Sequence, residues 1–118
     1  MGKILVVEDD KKISRILKLQ LERENHEIVI IENGIDKKRE FYDLILLDLG
    51  LPLMEGNEVC KISEVPIIVI SAKNNIEEKV DLLKSGASDY VTKPFDFLEL
   101  DVRININIQK RKNFSGCL

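Results

Sequence analysis

The sequence predicts a parallel, doubly wound α/β domain with five strands. Short runs rich in Ile, Leu and Val recur along the chain, and the charged stretches between most of them carry apolar residues at helical spacing. Runs that are apolar at every position suit strands buried on both faces, as in a parallel sheet covered by helices. Alternation with helices through short connections implies right-handed crossovers about one sheet. The chain has 118 residues, which is enough for one core and not for two.

The first strand is expected over 4–7. A helix follows, with Ile13, Ile16, Leu17 and Leu21 as its apolar stripe, Asp10 placed to cap it and Asn25 suited to ending it. Strands are expected next over 28–31, 44–47 and 67–70, and a weaker fifth over 90–92. The segments 35–40 and 56–63 are short and polar, the second with little beyond Val59 and Ile62 to bury, so the second and third helices should be small. Ile76, Val80 and Leu83 form the stripe of a fourth helix, which Ser85-Gly86 stops. From Leu98 to Ile108 every even position is apolar, a strand-like period, yet Phe97, Leu100, Ile104 and Ile108 also form a helical stripe. A helix is preferred because a strand would break the alternation, with Asn105 and Asn107 facing water. The expected domain is 1–112, with 113–118 a frayed tail and no output domain in this chain.

Composition narrows the function classes. Eighteen Lys and Arg against 21 Asp and Glu leave a net charge of -3, so no basic field draws nucleic acid or anionic lipid. No apolar run approaches the roughly 20 residues of a membrane span, and the start of the chain leads into a strand rather than a signal peptide. No membrane association is expected, and the cytoplasm is the expected location. Cys60 and Cys117 are far apart, without a Cys-x-x-Cys pair, which suggests neither zinc nor a disulfide. His26 is expected as a solvated turn residue, Cys60 as packing, and Lys110-Arg111-Lys112 as a helix end that favours the dipole.

Ligands of a doubly wound sheet bind beyond the carboxyl ends of its strands. Those ends carry Glu8-Asp9-Asp10, Asp48, Ser71 and Lys93-Pro94. Carboxylates gathered at one sheet edge repel each other and need a cation. All-oxygen ligation that must also accept phosphate oxygens and water points to Mg2+. Asp10 has a simpler use as a helix cap.

Four stretches resemble the receiver domains of two-component response regulators: Lys3-Ile-Leu-Val-Val-Glu-Asp-Asp10, Tyr42-Asp-Leu-Ile-Leu-Leu-Asp-Leu-Gly-Leu-Pro52, Val65-Pro-Ile-Ile-Val-Ile-Ser-Ala72 and Gly86-Ala-Ser-Asp-Tyr-Val-Thr-Lys-Pro-Phe95. The last is most similar to the branch whose receivers precede a winged-helix DNA-binding domain. The resemblance implies a flavodoxin-like (βα)5 fold with strand order 2-1-3-4-5, an order given for a chemotaxis receiver of this family. It implies that Asp48 takes a phosphoryl group from a phosphohistidine of a sensor histidine kinase, with no turnover of a separate substrate. Glu8, Asp9, Asp48 and the backbone carbonyl of Gly50 match the Mg2+ ligands. Lys93 matches the lysine that pairs with the phosphoryl group, and Ser71 the hydroxyl that hydrogen-bonds it. Tyr90 matches the aromatic that turns inward as that hydroxyl moves, and Pro94 a proline usually preceded by a cis bond. The face of the fourth helix, fifth strand and fifth helix would then change shape, commonly to form a homodimer, and DNA would be reached only through an output domain.

The sequence departs from the family pattern in places. Asp48 and Ser71 are 23 residues apart, short of the pattern by about two helical turns at ~3.6 residues each. The interval from Asp9 to Asp48 is short by about one turn. Asp101 and Asn107 stand where the family places apolar residues. A receiver-like interaction module that no longer switches is therefore the alternative. A Mg2+-dependent phosphatase ranks last, since Gly50 stands where a second acid would be needed.

Overall fold

The structure, a computed structural model, describes residues 2–31, 42–48, 65–71 and 76–116. Five parallel strands form one sheet in the order β2-β1-β3-β4-β5: β1 (Lys3–Val7), β2 (Glu27–Ile31), β3 (Leu44–Asp48), β4 (Ile67–Ser71) and β5 (Asp89–Thr92). The helices are Lys11–Arg23, Ile76–Lys84 and the C-terminal helix Phe97–Gly116. The small helices expected over 35–40 and 56–63, and Cys60, lie outside the described residues.

Side-chain alternation along the strands divides the core in two. Ile4, Val6, Leu44, Leu46, Ile68 and Ile70 face the first and C-terminal helices, where they meet Leu17, Leu21, Leu100, Ile104 and Ile108. Leu5, Val7, Ile45, Leu47, Ile67 and Val69 face the other way and share a cluster with Leu82, Ala87 and Tyr90. Residues on both faces are buried, which is why the strands are apolar at successive positions between their ends.

Local chemistry sets the helix ends. Asp10 Oδ1 accepts from the backbone N–H of Lys12 at 2.8 Å and of Ile13 at 3.3 Å, capping the first helix. That helix ends at Asn25, whose φ is 68°, with His26 N donating to Leu21 O and Asn25 N to Glu22 O. The Ile76–Lys84 helix ends in the same way at Gly86, φ 118°, with Ala87 N donating to Leu82 O and Gly86 N to Leu83 O. These are Schellman closures, and they need a residue that tolerates positive φ. Asp96, which the sequence reading passes over, accepts from Leu98 N at 2.8 Å and starts the C-terminal helix. That helix continues through 113–116, past the point where fraying is expected.

Four expectations change. Ile76, Val80 and Leu83 are exposed, and Leu82 is the residue that enters the core. Ile16 is also exposed, while its neighbour Leu17 is buried. Asn107 does not face water: it is buried, and its amide donates to Arg103 O at 2.8 Å. His26 is a buried residue rather than a solvated one, with Nε2 3.6 Å from Asp101 Oδ1.

Among the described residues neither ring nitrogen of His26, nor Asp101 Oδ1, has a hydrogen-bond partner. Burial pushes the imidazole below its ordinary 6.5, and Asp101 opposes part of that fall. An unsatisfied buried polar atom costs about 1–3 kcal/mol. Asp101→Leu is therefore expected to raise stability by ~1 kcal/mol, read as a higher urea midpoint with an unchanged slope. The sign for pH follows from proton counting. A depressed histidine binds fewer protons folded than unfolded, so its stabilisation is present above 6.5 and is lost on acidification. Without Asp101 that loss should steepen; a shallower profile in the variant would contradict this account.

Candidate functional site

Sheet register brings the expected residues together. Val7 pairs with Leu47 and Asp48 with Ile70, so Glu8 emerges beside Asp48 at the carboxyl edge. Ser71 pairs with Thr92, and Lys93 N donates to Ser71 O at 2.8 Å, which places Lys93 two strands from Asp48. Lys93 reaches back across β4, with Nζ 2.6 Å from Asp48 Oδ2. The Lys93–Pro94 peptide bond is cis. Glu8 and Asp48 are each 4% exposed and Ser71 is 0% exposed.

The acid pair is under electrostatic stress. Glu8 Oε1 accepts from Asp10 N at 2.9 Å, whereas Glu8 Oε2 is buried without a hydrogen-bond partner. Burial first, and then the neighbouring Asp48 carboxyl, push the Glu8 carboxyl up to about 8; Lys93 and the Asp10 amide pull the other way. Asp48 Oδ2 also lacks a hydrogen bond despite its closeness to Lys93. The ammonium approaches off the favourable direction, so the contact is an ion pair without a well-aligned hydrogen bond. Lys93 supplies one positive charge for two buried acids.

This donor set fits a hard divalent cation. Among the described residues Glu8 offers a buried oxygen without a hydrogen-bond partner, and Asp48 one that only the Lys93 ammonium meets. Mg2+ characteristically uses one or two carboxylates and fills its octahedron with water and phosphate oxygens. Asp9 is brought near only in sequence: it is exposed, and among the described residues no three His, Cys, Asp or Glu side chains form a metal-sized group. Gly50 lies outside the described residues. Tyr90 is buried against the second core cluster.

A groove that the sequence reading missed opens beside Lys93. It has a volume of about 640 Å³ and is lined by Ile13, Ile16, Leu17 and Gln20 of the first helix and by Lys93, Pro94, Phe95 and Phe97. The only hint in the sequence is that Phe95 and Phe97 flank the helix start while Ile16 exceeds what the core needs.

Fold and site together define a doubly wound α/β domain whose chemistry, an acid pair and a lysine, gathers at the carboxyl edge of the sheet. The chain belongs to the response regulator receiver domain family, whose sequence profile matches residues 4–105. It is 42% identical over 119 residues to the response regulator ArlR of Staphylococcus saprophyticus, covering 94% of this chain and 54% of that protein. It is also 42% identical over 118 residues to the uncharacterized transcriptional regulatory protein YkoG of Bacillus subtilis, covering 92% and 52%. The chain thus spans about half the length of these relatives.

Among solved structures it is similar to the signal receiver domain of a putative LuxO repressor protein from Vibrio parahaemolyticus, with a TM-score of 0.86, 26% identity and coverage of 98% and 96%. The receiver domain of the sensor histidine kinase PA1611 from Pseudomonas aeruginosa, which has a magnesium ion coordinated in its active-site cleft, matches with a TM-score of 0.77, 28% identity and coverage of 92% and 98%. As a receiver domain the chain is a two-component signalling module. Among the described residues no helix is long and apolar enough to cross a membrane.

Proposed function

We infer that this domain is a phosphoacceptor switch in which Asp48 receives a phosphoryl group from the phosphohistidine of a sensor histidine kinase. The observation that carries the reading is the convergence of Glu8, Asp48 and Lys93, where among the described residues the buried Glu8 Oε2 has no hydrogen-bond partner and the buried Asp48 Oδ2 is met by the Lys93 ammonium alone. In the transfer, the donor P–N bond breaks as a P–O bond forms to a carboxylate oxygen of Asp48, and the released imidazole takes up a proton. A carboxylate is a weak nucleophile, so alignment and neutralisation of charge supply most of the acceleration.

Glu8 and Asp48, with Asp9 and the Gly50 carbonyl as further donors, would hold Mg2+. Bound there, the ion neutralises charge on the nucleophile and on the phosphoryl oxygens. Lys93, a mobile point charge, follows the negative charge from the Asp48 carboxylate to the phosphoryl group. Ser71, at the end of β4, donates its hydroxyl to a phosphoryl oxygen. The modification adds about -1.5 to -2 charge at this edge. The Ser71 shift is relayed to Tyr90, and the result is a shift of population between two surfaces rather than a released product.

The groove beside Lys93 supports docking of the kinase, since an amphipathic helix laid there would bring its histidine to Asp48. Exposed Ile76, Val80 and Leu83, with Leu98, Val102 and Ile106 of the C-terminal helix, support a homodimer through the face that includes β5. Transcription is the output that fits the name of the YkoG relative. The domain is taken as 1–112 and its setting as the cytoplasm.

Incubation with a small acyl phosphate and Mg2+ tests the reading. The intact mass is expected to rise by one phosphoryl group, located on the peptide that holds Asp48. A domain that stays unmodified, with amide spectra unmoved by Mg2+ and beryllofluoride, would instead be an interaction module without a switch.

A further inference from the structure

Tyr90 is held through its backbone and over the face of its ring. Its backbone is fixed first: Tyr90 N donates to Asp89 Oδ1 at 2.8 Å, and Arg103 Nη1 grips both oxygens of Asp89 at 2.9 and 3.0 Å. Arg103 also binds Glu99 one turn earlier on the C-terminal helix, so the start of β5 is tied to that helix. Tyr90 is 6% exposed and lies in the cluster that contains Leu82.

Lys79, one turn before Leu82 on the Ile76–Lys84 helix, covers the ring, with Nζ 5.8 Å from the ring centroid. That distance is within the range at which an ammonium is drawn to the face of an aromatic ring. Spacing along its own helix does not draw the ammonium away from the ring. Positions three and four residues away on either side are Asn75, Ile76, Leu82 and Leu83, so the helix offers Lys79 no carboxylate at ion-pair spacing.

We propose that Lys79 is a positioning residue for Tyr90, its cation holding the ring in the buried place and thereby favouring the phosphorylated arrangement of the domain. The second half rests on the switch reading given above. If the buried ring belongs with a filled site at Asp48, linkage requires the effect to run both ways. Whatever holds the ring in must tighten binding at Asp48, and binding at Asp48 must hold the ring in more firmly. The cation acts on a side chain outside the group of Glu8, Asp48 and Lys93, so it changes an equilibrium and not the chemistry.

The test uses the whole chain as wild type, Lys79→Gln and Lys79→Arg, titrated with beryllofluoride and Mg2+ while the tyrosine ring signals are followed by NMR. Tyr42, which has Lys3 Nζ 5.3 Å from its own ring centroid, is the internal control. Lys79→Gln is expected to move the Tyr90 ring signals before any titration, to leave those of Tyr42 in place, and to weaken beryllofluoride binding about two- to five-fold, the scale of one cation–π contact. Lys79→Arg, which keeps the cation, should restore both. Unmoved Tyr90 signals in Lys79→Gln, or an arginine that fails to restore them, would overturn the positioning role. A wild-type protein that binds no beryllofluoride would overturn the switch reading instead, and the ring signals would still decide whether Lys79 places Tyr90.

Discussion

Asp48→Asn is expected to abolish phosphoryl incorporation from an acyl phosphate, leaving no adduct detectable by intact mass where the wild type takes one group. The amide has nearly the shape of the carboxylate and lacks its nucleophilic oxygen, so loss of labelling would reflect chemistry rather than collapse. The same change alters the surrounding electrostatics in a way that can be checked separately. Asp48 contributes to the raised pKa of Glu8, so Glu8 should titrate at lower pH in the variant. Lys93 loses its 2.6 Å partner, but with a side chain 26% exposed it can turn to water, which limits the cost of stranding it. The variant should therefore stay folded, with native circular dichroism. Label that survives the substitution would place the acceptor elsewhere and remove the proposed role of Asp48.

The strands were legible because burial on both faces leaves no ambiguity: each position of β3 is apolar until Asp48. The candidate site at the sheet edge was legible for the same reason, since strand ends in register must emerge together. Helical faces were harder. Periodicity shows that Ile76, Val80 and Leu83 share a side, but only the packing of the helix against β5 decides that Leu82 faces inward. His26 and Asp101 are polar in sequence, yet one is buried and the other half-buried against it, a pairing made by two segments 75 residues apart. Nothing local could announce it. The groove has the same origin, because the first helix and the turn after β5 form it jointly. Asp9 illustrates the converse limit: adjacent to Glu8 in sequence, it is exposed where Glu8 is buried, because the chain bends at Asp9 just past the end of β1.

Glu8 should give the metal-free domain an unusual pH profile, with stability that falls as pH rises from about 4.5 to about 8. Its carboxyl is pushed up to about 8 in the folded protein and has its ordinary 4.5 when exposed. Between these values the folded state binds the extra proton, so the stabilisation is complete below 4.5 and is lost as pH passes through 8. Each tenfold difference in proton affinity is worth ~1.4 kcal/mol. For a domain of this size that corresponds to about 4–8 °C in melting temperature. His26 works in the opposite sense near 6.5, since its depressed pKa makes stability rise with pH. The raw profile of the wild type therefore mixes the two, and a comparison with Glu8→Gln separates them. The glutamine keeps the size of a neutral Glu8 and cannot titrate, so the variant should retain only the rising histidine component. Mg2+ held by Glu8 as proposed would have the reverse effect, since it would bind the deprotonated oxygen and release the proton. Added at pH 7 it should raise the melting temperature of the wild type more than that of Glu8→Gln. Calorimetry from pH 4.5 to 8, with and without Mg2+, reads both effects; parallel profiles for the two proteins would show that Glu8 neither holds the proton nor meets the cation.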